Sequence, residues 1–481
     1  MRYGIAAGEH GGKGVALVVV GAKVRAPRQM GPPKRPAWWR FGWADLLGPL
    51  AILSVVATVC LYVLNQGVVS LVSTESIGSW GLLTGLVSAD LMLVQVVLLA
   101  RIPQVEQSWG HDLLAHRHRW VGFWSFWLMI AHVVAFAVTR VQRGGWSGLY
   151  AVFVADSWML WATVGTIMII AVTVTSIRLA RRKLRYESWH LLHLYAYLGL
   201  ILVWPHMLAD GSDFHQAYAR VYWWTIYLIS VVTVLIWRVA LPIWRSVYHR
   251  MRVTDVVTET PGVYSVHVQG HRLDKLRTRS GQFFIWRFMD GPGWTRGNPY
   301  TISAAPRDDR MRVTIQAAGA GSARVANLAA GTRVLIEGPY GTMTAERRTQ
   351  PRMLLIAAGV GVTPMRAIIE DSPYAPGEAA LIYRYTTEEH AIFRDELERL
   401  ARERGIQLIL LPGRRRADDS WLPVGYRGPG DDVEQLRRHI PDIAQRDIFI
   451  CGPAGWIASV RKACRTAGAR REHIHTEDYA W

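Results

Sequence analysis

Residues 118–132 read HRWVGFWSFWLMIAH, an apolar stretch closed at each end by a histidine, His118 and His132. Residues 193–206, HLYAYLGLILVWPH, repeat the arrangement with His193 and His206. At about 1.5 Å of rise per helical residue, each pair spans roughly 20 Å, which fits inside a bilayer core about 30 Å thick. An ionisable side chain at such depth is costly and reads as functional. Taken singly, a histidine of this kind is a packing residue bonded to a neighbouring helix. Four at two shared depths make two pairs, His118 with His193 and His132 with His206. Neutral imidazole is a good iron ligand and bundle cores accept such cofactors, so the pattern predicts two haems stacked across a membrane. Fourteen residues return His132 to within roughly 40° of the His118 face. Thirteen leave His206 about 140° from His193 on an ideal helix, a mismatch that a kink at Pro205 is placed to absorb. His190 is a rival inner ligand, with a spacing to His206 that fits no better.

Around these stretches six segments reach membrane length, about 44–64, 80–100, 118–139, 157–177, 189–208 and 219–241. The first connection, about 65–79, has no Lys or Arg, whereas the fourth carries Arg178, Arg181, Arg182, Lys183 and Arg185. The positive-inside rule then puts the N-terminus, the second and fourth loops and everything after the sixth span in the cytoplasm. Arg140, Arg143 and Arg220 fall on the outer side. Many of the 22 Trp residues, such as Trp38, Trp39, Trp223, Trp224 and Trp244, lie near span ends as interfacial anchors.

Of the 481 residues 51% are hydrophobic, and the apolar runs are confined to the first half. That argues for a membrane part joined to a soluble part. The net charge of +18 is read as contact with anionic membrane lipid rather than nucleic acid. Cys60, Cys451 and Cys464 show no paired spacing, against a disulfide framework or a thiolate metal site. Residues 1–40 read as a basic, disordered tail whose Val15–Val20 run is too short for a span. No internal repeat and no EF-hand loop is present.

Beyond about residue 250 the pattern changes. Short alternating runs at Tyr264–Val268, Phe283–Phe288, Arg312–Gln316 and Arg333–Glu337 are broken by Gly and Pro, predicting a small antiparallel barrel. There Asn298-Pro299-Tyr300-Thr301-Ile302-Ser303 offers hydroxyls and an aromatic ring to a flavin edge and face. Gly319-Ala320-Gly321-Ser322 opens a predicted helix whose N-terminus suits a pyrophosphate. Glu337-Gly338-Pro339-Tyr340-Gly341 closes the barrel. From about 350, apolar strands at Met353–Ala357, Ala379–Tyr383, Gln407–Leu411 and Asp447–Cys451 alternate with helical stretches, as in a parallel α/β nucleotide domain. Gly359 and Gly361, followed by Thr363-Pro364, sit between strand and helix and allow a dinucleotide pyrophosphate to approach the backbone. Cys451-Gly452-Pro453 ends a later strand beside the expected nicotinamide. Arg384, past another strand, suits a 2′-phosphate and favours NADPH, with NADH possible.

Together these residues resemble the ferric reductase/NADPH oxidase superfamily, specifically its bacterial members, over about residues 44–481. The likeness includes His118-Arg119-Trp120-x-Gly122, Trp189-x-x-x-His193, the flavin and nucleotide motifs, and the terminal Glu477-Asp478-Tyr479-Ala480-Trp481. The resemblance implies that a terminal aromatic, Trp481 or Tyr479, covers the flavin until the nicotinamide displaces it. The family usually has Arg or His where this chain has Asn298, so Arg296 or Arg324 is left to supply the charge. The expected chain is a basic tail (1–40), a six-helix transmembrane haem bundle (41–248), an FAD-binding antiparallel β-barrel (249–346) and a Rossmann-like NAD(P)H-binding α/β domain (347–481). Such a multi-pass plasma-membrane protein, with FAD and NADPH on the cytoplasmic side and two b-type haems, would deliver electrons to oxygen or ferric iron outside. The alternative is a haem membrane subunit that feeds a periplasmic redox partner. Oligomeric state stays open.

Overall fold

The computed structural model describes residues 18–20, 42–72, 76–154, 157–177, 186–210, 212–417, 419–424, 426 and 431–477. Two compact units emerge, dividing between Ala240 and Leu241.

The first unit is helical: α1 (Leu47–Gln66), α2 (Ser76–Leu98), α3 (His111–Val154), α4 (Ser157–Ser176), α5 (Tyr186–Asp210) and α6 (Ala217–Val234). Each carries a run long and apolar enough to cross a membrane. Their outward faces are apolar too, with Ile52, Leu53, Trp120, Trp124, Trp127 and Ile201 all exposed. Water would not tolerate so continuous a greasy surface, whereas lipid does. Gly67, at φ 74°, lets the chain leave α1 in a conformation that other residues resist. The third helix outruns its expected 118–139, ending its regular path at Gly145, where φ is 63°. Small residues set the tightest packing: a Cβ on Gly165 of α4 would lie 2.6 Å from the carbonyl oxygen of Gly199 on α5.

The unit boundary precedes the expected 248/249. After a π-helical turn at Leu235–Ala240, α7 (Leu241–His249) packs on β7 (Val334–Tyr340). Arg245 donates to the Gly338 carbonyl, and Ser246 Oγ accepts from the Ile336 amide at 3.2 Å. The last turns of the sixth apolar run therefore belong to the second unit.

That unit contains β2 (Arg252–Thr260), β3 (Val263–Gln269), β4 (Phe283–Phe288), β5 (Asn298–Thr301) and β6 (Arg310–Gln316) besides β7. The expected closed barrel does not form among the described residues. The strands make two three-stranded antiparallel sheets, β2-β3-β6 and β5-β4-β7, linked by single bridges at Arg252–Arg333 and Ile302–Val313. Register shifts in β2 and β4 interrupt the ladders, and Pro299 has no N–H to extend that of β5. Val266, Phe284, Trp286, Ile302, Val313 and Ile336 fill the core between them.

The remaining sheet has the order β1-β10-β9-β8-β11-β12: β8 (Arg352–Ala358), β9 (Ala379–Tyr385), β10 (Gln407–Pro412), β11 (Arg446–Cys451) and β12 (Ile474–Thr476) run parallel. Helices α8 (Val362–Asp371), α9 (Arg394–Arg404), α10 (Asp432–His439) and α11 (Ala454–Thr466) cover it. Alternate residues of β8 enter two cores, Met353, Leu355 and Ala357 on one face and Leu354, Ile356 and Ala358 on the other. From the expected N-terminal tail, β1 (Val18–Val20) pairs antiparallel with Leu408–Leu410 and closes the sheet edge, so these three residues are strand rather than tail.

Candidate functional site

The histidines of the helical unit meet in two pairs. His118 and His193 have ring centroids 6.0 Å apart at 61°, and His132 and His206 lie 6.1 Å apart at 28°. A metal–imidazole nitrogen bond is about 2 Å and the ring adds about 1 Å, so two imidazoles on one ion sit roughly 6 Å apart. Both separations fit a shared metal. Pro205 lies inside α5, one residue before His206, and the His190 side chain lies outside the described residues.

Protons on the other ring nitrogens are assigned by their partners. His118 Nδ1 is 3.2 Å from the Gln95 carbonyl and His132 Nδ1 is 2.8 Å from that of Gly81. A carbonyl only accepts, so both Nδ1 atoms carry hydrogen and leave Nε2 with its lone pair. His193 Nδ1 lies 3.3 Å from Ser176 Oγ. Ser176 spends its one proton on the Val172 carbonyl at 2.7 Å and accepts from Trp189 Nε1 at 3.3 Å. It must therefore accept from His193 as well. His206 Nδ1 is buried without a hydrogen-bond partner. A Cβ on Gly85 would come within 2.5 Å of His132 Nδ1, so the absence of a side chain there makes room for the ring. Ser176, Gly81, Gly85 and Gln95 escaped the sequence reading because nothing in a single helix reveals what a neighbour presents.

In the second unit, Asn298 and Tyr300 line an open pocket with Trp286, Phe288, Arg296 and Arg324. Burial pushes the Tyr300 phenol up to about 12, so it remains a hydrogen-bond donor. Arg324 is committed to Asp290, with Nε 3.1 Å from Oδ2. Arg296 has no ion pair among the described residues and is the cation available beside Asn298. Gly319 and Ser322 open the expected helix. Ser322 Oγ accepts from the Gly319 amide at 3.0 Å, but the helix is one turn, Ala320–Ala323, passing into a 3-10 turn. So short a helix has little dipole to offer a pyrophosphate.

Ser303 departs from its expected place, being buried away from the pocket. Its hydroxyl accepts from Arg312 Nε at 3.2 Å, and its carbonyl from Arg312 and Arg366 at 3.0 and 3.2 Å. Both arginines bind Glu396, Arg312 through two bonds of 2.8 and 3.0 Å and Arg366 through one of 2.8 Å. Burial would raise the Glu396 carboxyl, but these bonds and charges overrule it and hold it at about 2. Thr301 is buried opposite Phe283, and Pro299 pairs with Ile285. Gly338 packs against the Phe284 ring at φ 139°.

The nucleotide residues converge where the order of the parallel strands reverses, between β8 and β11, the usual place for a ligand crevice. Gly359 has φ +56°, and Gly361 lies so close to the Cys451 carbonyl that a Cβ would collide with it. Thr363 and Pro364 stand in the first turn of α8, Gly452 packs on the Trp456 ring, and Pro453 caps α11. Cys451 is fully buried. Arg384, beside Ala358, is nine-tenths buried and its Nε has no hydrogen-bond partner. Burial, then the charge of Arg415, lowers its pKa. Arg415 is held by the Ser420 and Gly455 carbonyls at 2.8 and 3.1 Å and by Ser459 Oγ at 2.8 Å. Two guanidiniums brought together in this way favour an anion. Arg415 was not singled out from sequence, although the run Arg414-Arg415-Arg416 after β10 was a signal. Tyr479 and Trp481 lie outside the described residues.

Comparison with known proteins adds three findings. Residues 84–204 match the family described as ferric reductase like transmembrane component, and residues 355–462 the oxidoreductase NAD-binding domain. The chain is 32% identical over 207 residues to ferredoxin–NADP reductase B of Sorangium cellulosum, covering 39% of this chain and 80% of that protein. It is 30% identical over 237 residues to the ferredoxin reductase component of 3-ketosteroid-9-alpha-monooxygenase from Mycolicibacterium smegmatis, 47% of this chain and 64% of that one. The second match thus spans under two thirds of the relative's length. Among solved structures, the FAD/NAD binding domain of a Vibrio cholerae nitric oxide dioxygenase covers 48% of this chain and 98% of its own at 24% identity and a TM-score of 0.39.

Proposed function

Since the chain belongs to the ferric reductase/NADPH oxidase-like superfamily, a membrane oxidoreductase joining a ferric reductase-like transmembrane component to a ferredoxin-reductase-type domain, we propose that it carries electrons from cytoplasmic NADPH across the plasma membrane to oxygen or ferric iron outside. His118 with His193 and His132 with His206 would hold two b-type haems. Asn298, Tyr300 and Arg296 would hold FAD, in a domain of about 249–346. Gly359, Gly361, Thr363, Gly452 and Arg384, helped by Arg415, would hold the nucleotide in a domain of about 347–481. Bound together, these groups supply hydride acceptance, its division into single electrons, and one-electron conduction.

The protein's share is placement. The Gln95 and Gly81 carbonyls and Ser176 fix the imidazole protons on Nδ1, keeping Nε2 basic. Gly359 and Gly361 keep side chains out of the crevice. The Tyr300 hydroxyl, kept protonated by burial, would be a donor to the flavin. Two imidazole pairs at 6.0 and 6.1 Å, in one chain with a reductase unit, carry this reading.

A reduced-minus-oxidised absorbance spectrum of the purified chain, with haem and flavin counted, tests it. Two b-type haems and one flavin per chain are expected, and loss of His118 or His193 removes one haem selectively. A colourless protein, or one whose haems survive both substitutions, defeats the assignment. Anaerobic NADPH oxidation with ferric chelate, set against superoxide formation in air, separates the two acceptors. Turnover only with an added periplasmic protein would favour the partner-feeding alternative.

A further inference from the structure

Asp90 is a buried ionisable group of the helix bundle that the proposed electron path leaves unused. It lies within α2, 1% exposed, where an uncompensated charge is costly. Ser54 of α1 and Tyr222 of α6 face it, with Ser54 Oγ 3.0 Å from Oδ2 and Tyr222 Oη 3.4 Å from Oδ1. Thr58 Oγ1 stands 3.0 Å from Tyr222 Oη. Among the described residues no Lys, Arg or His bonds to Asp90, and Tyr222 is the titratable side chain in contact with it. The other neighbour of α2, α3, bonds to it through the Ser125 carbonyl at Ser88, and through His118 and His132 at Gln95 and Gly81.

Counting hydroxyl protons shows what this cluster is built for. Ser54 Oγ lies 2.9 Å from the Ala51 carbonyl, and Tyr222 Oη 2.8 Å from the Ser54 carbonyl. Both contacts are shorter than those to Asp90. With the protons on those carbonyls the carboxyl group receives none, and a proton of its own completes the set by donating to Tyr222 or Ser54. Turning the two hydroxyls toward Oδ1 and Oδ2 instead gives the carboxylate two donors. The same side chains serve the acid and its anion.

Position supplies the coupling. Asp90 is nine residues from Gly81 and five from Gln95, about 14 Å and 8 Å along the helix axis. It therefore stands between the levels at which His132 and His118 are held. A charge arriving at either level is weakly screened in this surrounding.

We propose that Asp90 is a proton-binding site coupled to the electrons that the bundle carries, an inference that rests on the haem-holding reading of the histidine pairs. When one electron enters from NADPH, the carboxylate takes one proton from the aqueous phase: an O–H bond forms on Asp90 as a hydronium ion becomes water. When the electron leaves, the proton returns, and the membrane interior gains no net charge.

The test uses the full chain in lipid nanodiscs with its haem counted. Midpoint potentials are measured against pH, and reduced-minus-oxidised infrared spectra are taken with dithionite in H2O and D2O. At least one potential falls as pH rises, and a carboxylic C=O band that shifts in D2O accompanies reduction. Asp90→Asn flattens the first and removes the second. Potentials independent of pH, or a dependence and band that persist in Asp90→Asn, overturn the proposal. If that variant does not assemble, Tyr222→Phe keeps the carboxyl and removes one donor, so the pH at which the potential changes must move; an unmoved profile overturns it equally. A chain without haem marks failure of the parent reading, and titrating the same infrared band without reductant then shows whether Asp90 exchanges a proton.

Discussion

Ser176 has one proton to give, and Val172 receives it. Its oxygen is thereby left to accept from both Trp189 and His193. Ser176→Ala removes that acceptor and frees the His193 ring to rotate or change tautomer. Groups that orient a ligand in this way typically contribute 10- to 100-fold in metal affinity, so the haem affinity of the His118–His193 level is expected to fall by roughly that factor. The His132–His206 level should keep its haem, and Ser176→Thr should restore the first. Haem per chain and the low-spin spectrum report both. Glu396 makes a different prediction. Its carboxyl is held at about 2 against an ordinary 4.5, so it contributes stability above pH 4.5 that is lost as pH falls toward 2. Glu396→Gln strands the buried Arg312, while Arg366 keeps its ion pair with Glu370, and should cost about 3 kcal/mol at neutral pH. Urea unfolding followed by flavin fluorescence should show this, together with a weaker acid dependence than the parent. An identical acid profile in both proteins would remove Glu396 from the account.

At the scale of elements, α4 and α5 approach over glycine. A side chain on Gly165 would meet the Gly199 carbonyl and Val203, so Gly165→Val must push apart two helices, one of which carries both His193 and His206. Overpacking of this kind costs typically 1–3 kcal/mol, and both haem bands should weaken together. Gly144→Val is the control, since a Cβ there meets nothing within 4 Å; equal damage from both would show general fragility instead. The spans were legible because some twenty consecutive apolar residues leave few alternatives. The parallel sheet was legible because its central strands are short apolar runs, three of which, β8, β10 and β11, end in a glycine-bearing turn at Gly359, Gly413 and Gly452. The two-sheet arrangement was not, since bulges in β2 and β4 depend on pairing that alternation does not encode. The helix opening after Gly319 was legible as a start, although nothing in the sequence set its length at one turn. The histidine pairs were legible by depth, yet the ideal-helix angle between His193 and His206 gave no reason to expect rings 6.1 Å apart at the second level. Ser303 looked like a flavin contact by its place after Thr301, and only the arginines from β6 and α8 reveal its buried role.

For the whole molecule, the proposed path from nucleotide to an acceptor across the membrane sets a direction. Electrons taken from nucleotide on one face and released at the other move charge through the bilayer, at about 2.3 kcal/mol per charge for each 100 mV. In liposomes holding the chain with its reductase unit outward, NADPH added outside should reduce ferric chelate trapped inside. Each electron makes the lumen more negative, so turnover should slow within the first cycles. Valinomycin with external potassium lets a compensating cation follow, and the rate should recover several-fold. Proton uptake at Asp90 would not relieve this field, because its proton returns with each electron's departure. Turnover unchanged by valinomycin would mean that donor and acceptor meet on the same face, and the paired histidines would then need a role other than conduction.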